Sequence, residues 1–231
     1  MTARYAVYFA PERHSPWHKF GAQWLGRDEH DNSGLVQPKF TEISSAEFEL
    51  LTQEPRRYGF HATLKAPFRL AYGVDEHALM TQLETVAQTL KPILLSPLRV
   101  ACLGNFLALV PTTVPADLEA LAAACVTQLD PLRAPLNEAE LARRRATPLD
   151  SRETELLADY GYPYVLERYQ MHFTLTGPVA PALIQKITDA VTPQLAALNA
   201  STPLWLDRLC LFVERSPGQP FQRIIDAQLQ P

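Results

Sequence analysis

Two histidines sit in matching settings. His61-Ala-Thr63-Leu64-Lys65-Ala-Pro67 and His172-Phe-Thr174-Leu175-Thr-Gly-Pro178 both read His-x-Thr-Leu-x-small-Pro. A lone His-x-Thr carries little weight, but two copies with leucine and proline at equal offsets rarely arise by chance. On a strand, residues two apart share a face, about 6–7 Å apart. Each motif therefore offers one imidazole beside one hydroxyl, with Leu64 and Leu175 pointing the other way. If the two strands face each other across a cleft, two imidazoles and two hydroxyls converge. Histidine is the side chain whose neutral and protonated forms coexist near neutrality, so His61 and His172 can act as an acid–base pair. The hydroxyls of Thr63 and Thr174 can donate to phosphoryl oxygens, where charge builds up in a transition state. That set suits phosphodiester chemistry without a metal.

The elements that must position these groups are legible from pattern. Residues 4–9 read as a strand. Ser15-Pro16 starts a helix carrying Trp17, Phe20, Trp24 and Leu25, which Gly26 closes. Ser44 and Glu47 suggest a capping box for a helix through Leu51. Strands are expected over 59–65, 98–103, 106–110, 170–176, 204–213 and 221–228. Helices are expected after Asp75 and over 115–129, 137–145, 151–159 and Pro181 to Leu198. The order histidine strand, helix, two strands appears twice, over roughly 59–110 and 170–228. An internal duplication follows, giving two α+β lobes with antiparallel-rich sheets in one bilobed domain over 1–231.

Other residues are weighed against plainer roles. Lys65 falls on the His61 face if the strand persists, as a phosphate ligand or a solvated edge lysine. Arg133, between Pro131 and Pro135, is a second anion site or a structural salt bridge. Arg143, Arg144 and Arg145 read as a solvated helix face. Tyr164, with Tyr58, Tyr162 and Tyr169, packs or stacks on a base or sugar. The substrate-binding set is thus Thr63, Thr174, Lys65, Arg133 and Tyr164. Histidines 14, 18, 30 and 77 show no ligand spacing, and no metal or other cofactor is expected.

The bulk composition is globular, with 47% apolar and 20% charged residues. A net charge of −4 speaks against a duplex-DNA binder. Cys102, Cys125 and Cys210 lie in apolar runs and read as buried thiols of a reducing compartment. Residues 1–9 lack the apolar run of a signal peptide, and no window of 18 apolar residues appears. The cytoplasm is the expected location, with a small phosphorylated substrate and no membrane partner.

The paired motif resembles the 2H phosphoesterase superfamily. The wider context, Arg57-Tyr-Gly-Phe-His-Ala-Thr-Leu-Lys-Ala-Pro-Phe68, Asp130-Pro-Leu-Arg-Ala-Pro135, Gly161-Tyr-Pro-Tyr164 and Met171-His-Phe-Thr-Leu-Thr-Gly177, resembles the DUF1045 branch linked to phosphonate metabolism. The resemblance implies a bilobed fold and metal-free action on cyclic phosphates or 2′,5′ linkages. In it His61 and His172 are catalytic, and Thr63 and Thr174 hold phosphate. The expected function is a phosphodiesterase opening a small cyclic phosphate, ribose 1,2-cyclic phosphate in the phosphonate setting. The alternatives are an RNA-end enzyme (a 2′,3′-cyclic end hydrolase or a 2′,5′ ligase, with a nucleotide or RNA end as partner) and a non-catalytic phosphometabolite binder.

Overall fold

In the computed structural model, which describes residues 3–95 and 97–230, the β-forming run Arg4–Phe9 becomes strand β1 of a large sheet. The other strands are β2 (Ala62–Phe68), β3 (Ile93–Leu95), β4 (Leu98–Leu103), β5 (Phe106–Pro111), β6 (Phe173–Pro178), β7 (Leu204–Leu206), β8 (Arg208–Glu214) and β9 (Gln222–Gln228). Seven of them form one antiparallel sheet in the order β4-β5-β6-β2-β1-β8-β9, and β3 pairs with β7 apart from it. The helices are α1 (Pro16–Leu25), α2 (Ser45–Arg56), α3 (Glu76–Ala87), α4 (Leu118–Leu129), α5 (Glu138–Arg145), α6 (Ser151–Tyr160) and α7 (Pro181–Ser201). They flank the sheet, α2 against β6, α4 against β2, α3 against β8 and β9, and α7 against β4. The fold is thus mixed α+β, a large antiparallel sheet with flanking helices.

Local chemistry sets the ends. Ser15 accepts from the His18 amide, Pro16 opens α1, and Gly26 closes it at φ 77°. Ser44 caps α2 through the Glu47 amide, and α2 runs on to Arg56. Full capping boxes form at Asn137/Glu140 and Asp150/Glu153.

Three of the differences from the sequence reading concern the strands. The motif strands start at Ala62 and Phe173, so each histidine stands one residue before its strand. There each ring bonds back to a carbonyl two residues earlier, that of Gly59 or of Gln170. The expected strand 204–213 splits at Asp207, because β7 and β8 join different sheets.

The expected repeat has a counterpart in the element order. β2-α3-β3-β4-β5 and β6-α7-β7-β8-β9 follow one another. Yet the hairpin β4–β5 docks on β6, and β8–β9 docks on β1, next to β2. The two motif strands are therefore neighbours in one continuous sheet, not members of two separate sheets.

One side of the sheet is the main core. Val7, Phe9, Leu64, Phe173 and Leu175 are buried there with Trp17 and Trp24. Each such side chain contributes about 1.5–3 kcal/mol. Both indole N–H groups find carbonyls, Trp24 at Leu175 (2.9 Å) and Trp17 at Thr202 (2.8 Å). Cys125 and Cys210 are buried, but Cys102 is exposed, contrary to the expectation for all three thiols. Among the described residues no helix is long and apolar enough to cross a membrane.

Candidate active site

β2 and β6 meet at one bridging pair, Ala62 with Phe173. Carried one residue to either side, this antiparallel register sets His61 opposite Thr174 and Thr63 opposite His172. Directly opposed residues have Cβ atoms about 4.5–5.5 Å apart. All four side chains share the face opposite Leu64 and Leu175. The result is a crossed square of two imidazoles and two hydroxyls, made by adjacent strands.

Each ring is held the same way. His61 Nδ1 lies 2.9 Å from the Gly59 carbonyl, and His172 Nδ1 lies 2.8 Å from the Gln170 carbonyl. A carbonyl only accepts, so Nδ1 carries the proton and Nε2 keeps a lone pair. Gly59 supports this turn at φ 82°. Thr63 Oγ1 lies 3.4 Å from His61 Nε2. Tyr8 of β1 stacks on the His61 ring at 3.8 Å between centroids. Burial pushes His61 down to about 4, against the Gly59 bond, and the His172 ring adds to the push. Burial also lowers His172 from its ordinary value. Both imidazoles are therefore neutral at neutral pH and present Nε2 as a proton acceptor.

The square opens into a cavity of about 650 Å³ lined by His61, Thr63 and Thr174. His172 lines an adjoining cavity of about 360 Å³, and Thr63, Ala66, Phe106 and Tyr162 border both. Four arginines line the larger cavity, Arg4, Arg57, Arg143 and Arg144. Buried Glu214 aims two of them: it accepts from Arg4 Nε at 2.5 Å and from Arg57 Nη2. Arg144 lies over the Tyr162 ring at 4.6 Å, and its buried Nε has no hydrogen-bond partner among the described residues. Guanidinium forks in a half-enclosed cleft, one with a spare donor, make an anion site.

Lys65 is not part of it. The β1–β2 register runs from Tyr8/Thr63 to Val7/Lys65, so a bulge leaves Leu64 without a partner. The bulge reverses the alternation beyond Thr63 and turns Lys65 toward the core side. There Lys65 Nζ donates to the Val126 carbonyl (2.9 Å) and to Asp130 (3.0 Å). Arg133 holds the same Asp130 with a fork (2.8 and 3.2 Å) and reaches the Asp159 carbonyl, which makes it the structural ion pair. Tyr164, 41% exposed, lines the smaller cavity with His172. Arg143 and Arg144 of α5, expected on a solvated helix face, line the cleft. Arg4 gave no signal in the sequence, since only the β1–β8 pairing brings Glu214 to it. The structure also draws together His18, Asp28, Glu29 and His30, with donor atoms within 4.8 Å of one another, although their spacing suggested no metal site.

Residues 63–222 match the family described as "Protein of unknown function (DUF1045)". The chain is 42% identical over 221 residues to a protein of Janthinobacterium sp. (strain Marseille) named ribose 1,5-bisphosphate phosphokinase PhnN, covering 94% of this chain and 49% of that one. It is 36% identical over 219 residues to a protein of the same name from Laribacter hongkongensis (strain HLHK9), covering 95% and 50%. The chain spans about half the length of the curated relatives it matches. Their name is that of a phosphokinase. It overturns the expected opening of a cyclic phosphate, and with it the alternatives of an RNA-end enzyme and a non-catalytic binder. With the family match extending over most of its length and including the second histidine motif, the chain belongs to the DUF1045 family.

Proposed function

We propose that this chain is an enzyme of phosphonate metabolism that acts on a ribose phosphate, contributing to phosphoryl transfer to ribose 1,5-bisphosphate. The observation that carries the reading is the pair of adjoining cavities, where four arginines and His61 line the larger and His172 the smaller, each imidazole with its proton on Nδ1 and Nε2 left as an acceptor. A sugar bisphosphate brings two highly charged groups, and guanidinium forks match their oxygens. No Gly-Lys pair occurs in the sequence, so the phosphate-binding groups of this chain are arginines rather than a glycine loop with its lysine. A neutral imidazole takes the proton from the attacking oxygen, and the other moves it onward. Arginines and threonine hydroxyls meet the charge on the transferring group, where positioning and electrostatics do most of the work. The relatives' names support the substrate and the reaction. Since the chain spans half of them, we assign it the ribose-phosphate-binding and proton-transfer half. We also read the repeated element order as an internal duplication, and the crossed His–Thr square as the bilobed two-histidine fold.

Calorimetry of the chain with ribose 1,5-bisphosphate tests the binding. The expected result is saturable binding that Arg144→Gln weakens by about 10-fold or more. Phosphorus NMR with added ATP and Mg²⁺ follows transfer, by this chain and by the full-length Janthinobacterium relative. Changing the histidines equivalent to His61 and His172 to Ala in that relative is expected to abolish transfer. Absence of binding here, with undiminished transfer by those variants, sinks the reading.

A further inference from the structure

A second set of chemistry-bearing side chains lies behind the His61 turn. Gly26 ends α1 in the left-handed region and turns the chain back, with Arg27 N bonding the Ala22 carbonyl at 3.0 Å. Asp28, Glu29 and His30 thereby come up beside His18 on α1. His18 Nε2 is 3.5 Å from Glu29 Oε1 and 3.8 Å from Asp28 Oδ1. His30 Nδ1 is 3.1 Å from Asp28 Oδ1 and 3.9 Å from Glu29 Oε1.

The cluster lacks partners where it is most buried. Glu29 is 0% exposed, and neither carboxylate oxygen has a hydrogen-bond partner among the described residues. His18 is 4% exposed, and its Nε2 has none either. Arg223 Nη1 forms a 3.5 Å ion pair with Glu29 Oε1, while the hydrogen bonds of that guanidinium go to Asp226 (2.7 Å twice) and to the Pro11 carbonyl (2.8 Å). A buried carboxylate and a buried imidazole nitrogen, both without hydrogen bonds and both facing one point, are costly unless something sits between them.

We propose that His18, Asp28, Glu29 and His30 form a binding site for one divalent transition-metal ion of the zinc type. Two imidazole nitrogens and two carboxylate oxygens are a donor set that such ions accept. With bonds of about 2.0–2.2 Å, tetrahedral ligand atoms stand roughly 3.3–3.6 Å apart, close to the spacings above. Four protein donors close the coordination sphere, so the ion is structural rather than catalytic. Ligation at His18 Nε2 puts the ring proton on Nδ1, so the 3.3 Å contact from the His14 amide to Nδ1 gives way and the His14 turn shifts. The ion would fasten α1 to β9, because the Arg223 amide donates to the Glu29 carbonyl and Gln222 Nε2 to the His30 carbonyl, both at 2.8 Å. It would also brace the turn that holds His61, since a Cβ on Gly59 would stand 2.8 Å from Glu29 Cβ.

The experiment is titration of the metal-stripped chain with Co²⁺, followed by visible absorption and calorimetry, then displacement by Zn²⁺. The expected result is one saturable site with the d–d bands of tetrahedral cobalt, and a higher Tm with zinc. His18→Gln and Glu29→Gln should each weaken cobalt binding by more than the roughly 10–100-fold of an outer-shell change. His77→Gln, at an exposed histidine, should bind as the parent does. Circular dichroism checks that the variants fold, and His30→Gln, at the half-buried edge, replaces either one that does not. Equal binding by the ligand variants and the parent, or no cobalt bound by folded parent, overturns the proposal.

Discussion

His61 is neutral because it is packed, and this has a pH signature. Its folded-state value of about 4 lies below the ordinary histidine value of 6.5. Between those values the unfolded chain binds more protons than the folded one, so stability rises with pH there and is lost on acidification from about 6.5 toward 4. The full shift corresponds to at most about 3 kcal/mol, less for the part of the ring that reaches the cleft. Urea unfolding at pH 7, 5.5 and 4.5 checks this. His61→Gln should show a shallower acid loss than the parent, and equal slopes would refute the assignment. A proton acceptor of this kind also stays competent in mildly acid solution. Lys65 belongs to the same scale with the opposite lesson. Lys65→Met removes donors to Val126 and Asp130 but leaves Asp130 its Arg133 fork. A loss of roughly 1–3 kcal/mol in stability is expected, read from the denaturation midpoint. Affinity for the bisphosphate should not change.

Among the elements, α1 and the entry to β2 decide where His61 sits. A Cβ on Gly21 would stand 2.0 Å from Phe60 Cγ and 2.4 Å from Phe60 Cβ, and Phe60 precedes His61. Phe60 cannot yield, because it stacks on Phe173 (5.0 Å between centroids) and meets Phe20 edge-on. Gly21→Ala is therefore expected to cost about 1–3 kcal/mol through overpacking and to shift the His61 ring resonances in NMR. An unchanged His61 environment would show that α1 and β2 are less tightly coupled than the contact implies. Helix starts were readable from Ser15-Pro16, Ser44 and Asp75, because capping is chemistry between residues two or three apart. The bulge after Thr63 was not readable, because it depends on the register β1 imposes.

For the molecule as a whole, net charge and local charge disagree. The chain carries −4, yet four arginines line the cleft. Acidic groups elsewhere are spent in pairs, such as Glu140 with Arg69 and Asp150 with Arg168. Binding of an anionic sugar phosphate should therefore weaken as salt rises, by severalfold between about 0.01 and 0.15 M, as screening shortens from roughly 30 to 8 Å. Calorimetry in a NaCl series measures it, and affinity independent of salt would remove the arginines from the binding account.

What the sequence determined alone is what repeats or acts locally. The two His-x-Thr-Leu motifs, the helix caps and most strand positions follow from spacing, period and the chemistry of near neighbours. Only the tertiary structure decided which groups meet. It set β2 beside β6, so that the motifs form one square within a single sheet. It brought α5 to the cleft, so that Arg143 and Arg144 line the site. It brought Glu214 to Arg4 across most of the chain's length, turned Lys65 inward at a bulge, and gathered His18 with Asp28, Glu29 and His30 around a left-handed glycine. The reason is physical: side chains distant in sequence become neighbours only through strand register and element docking, which no local pattern encodes.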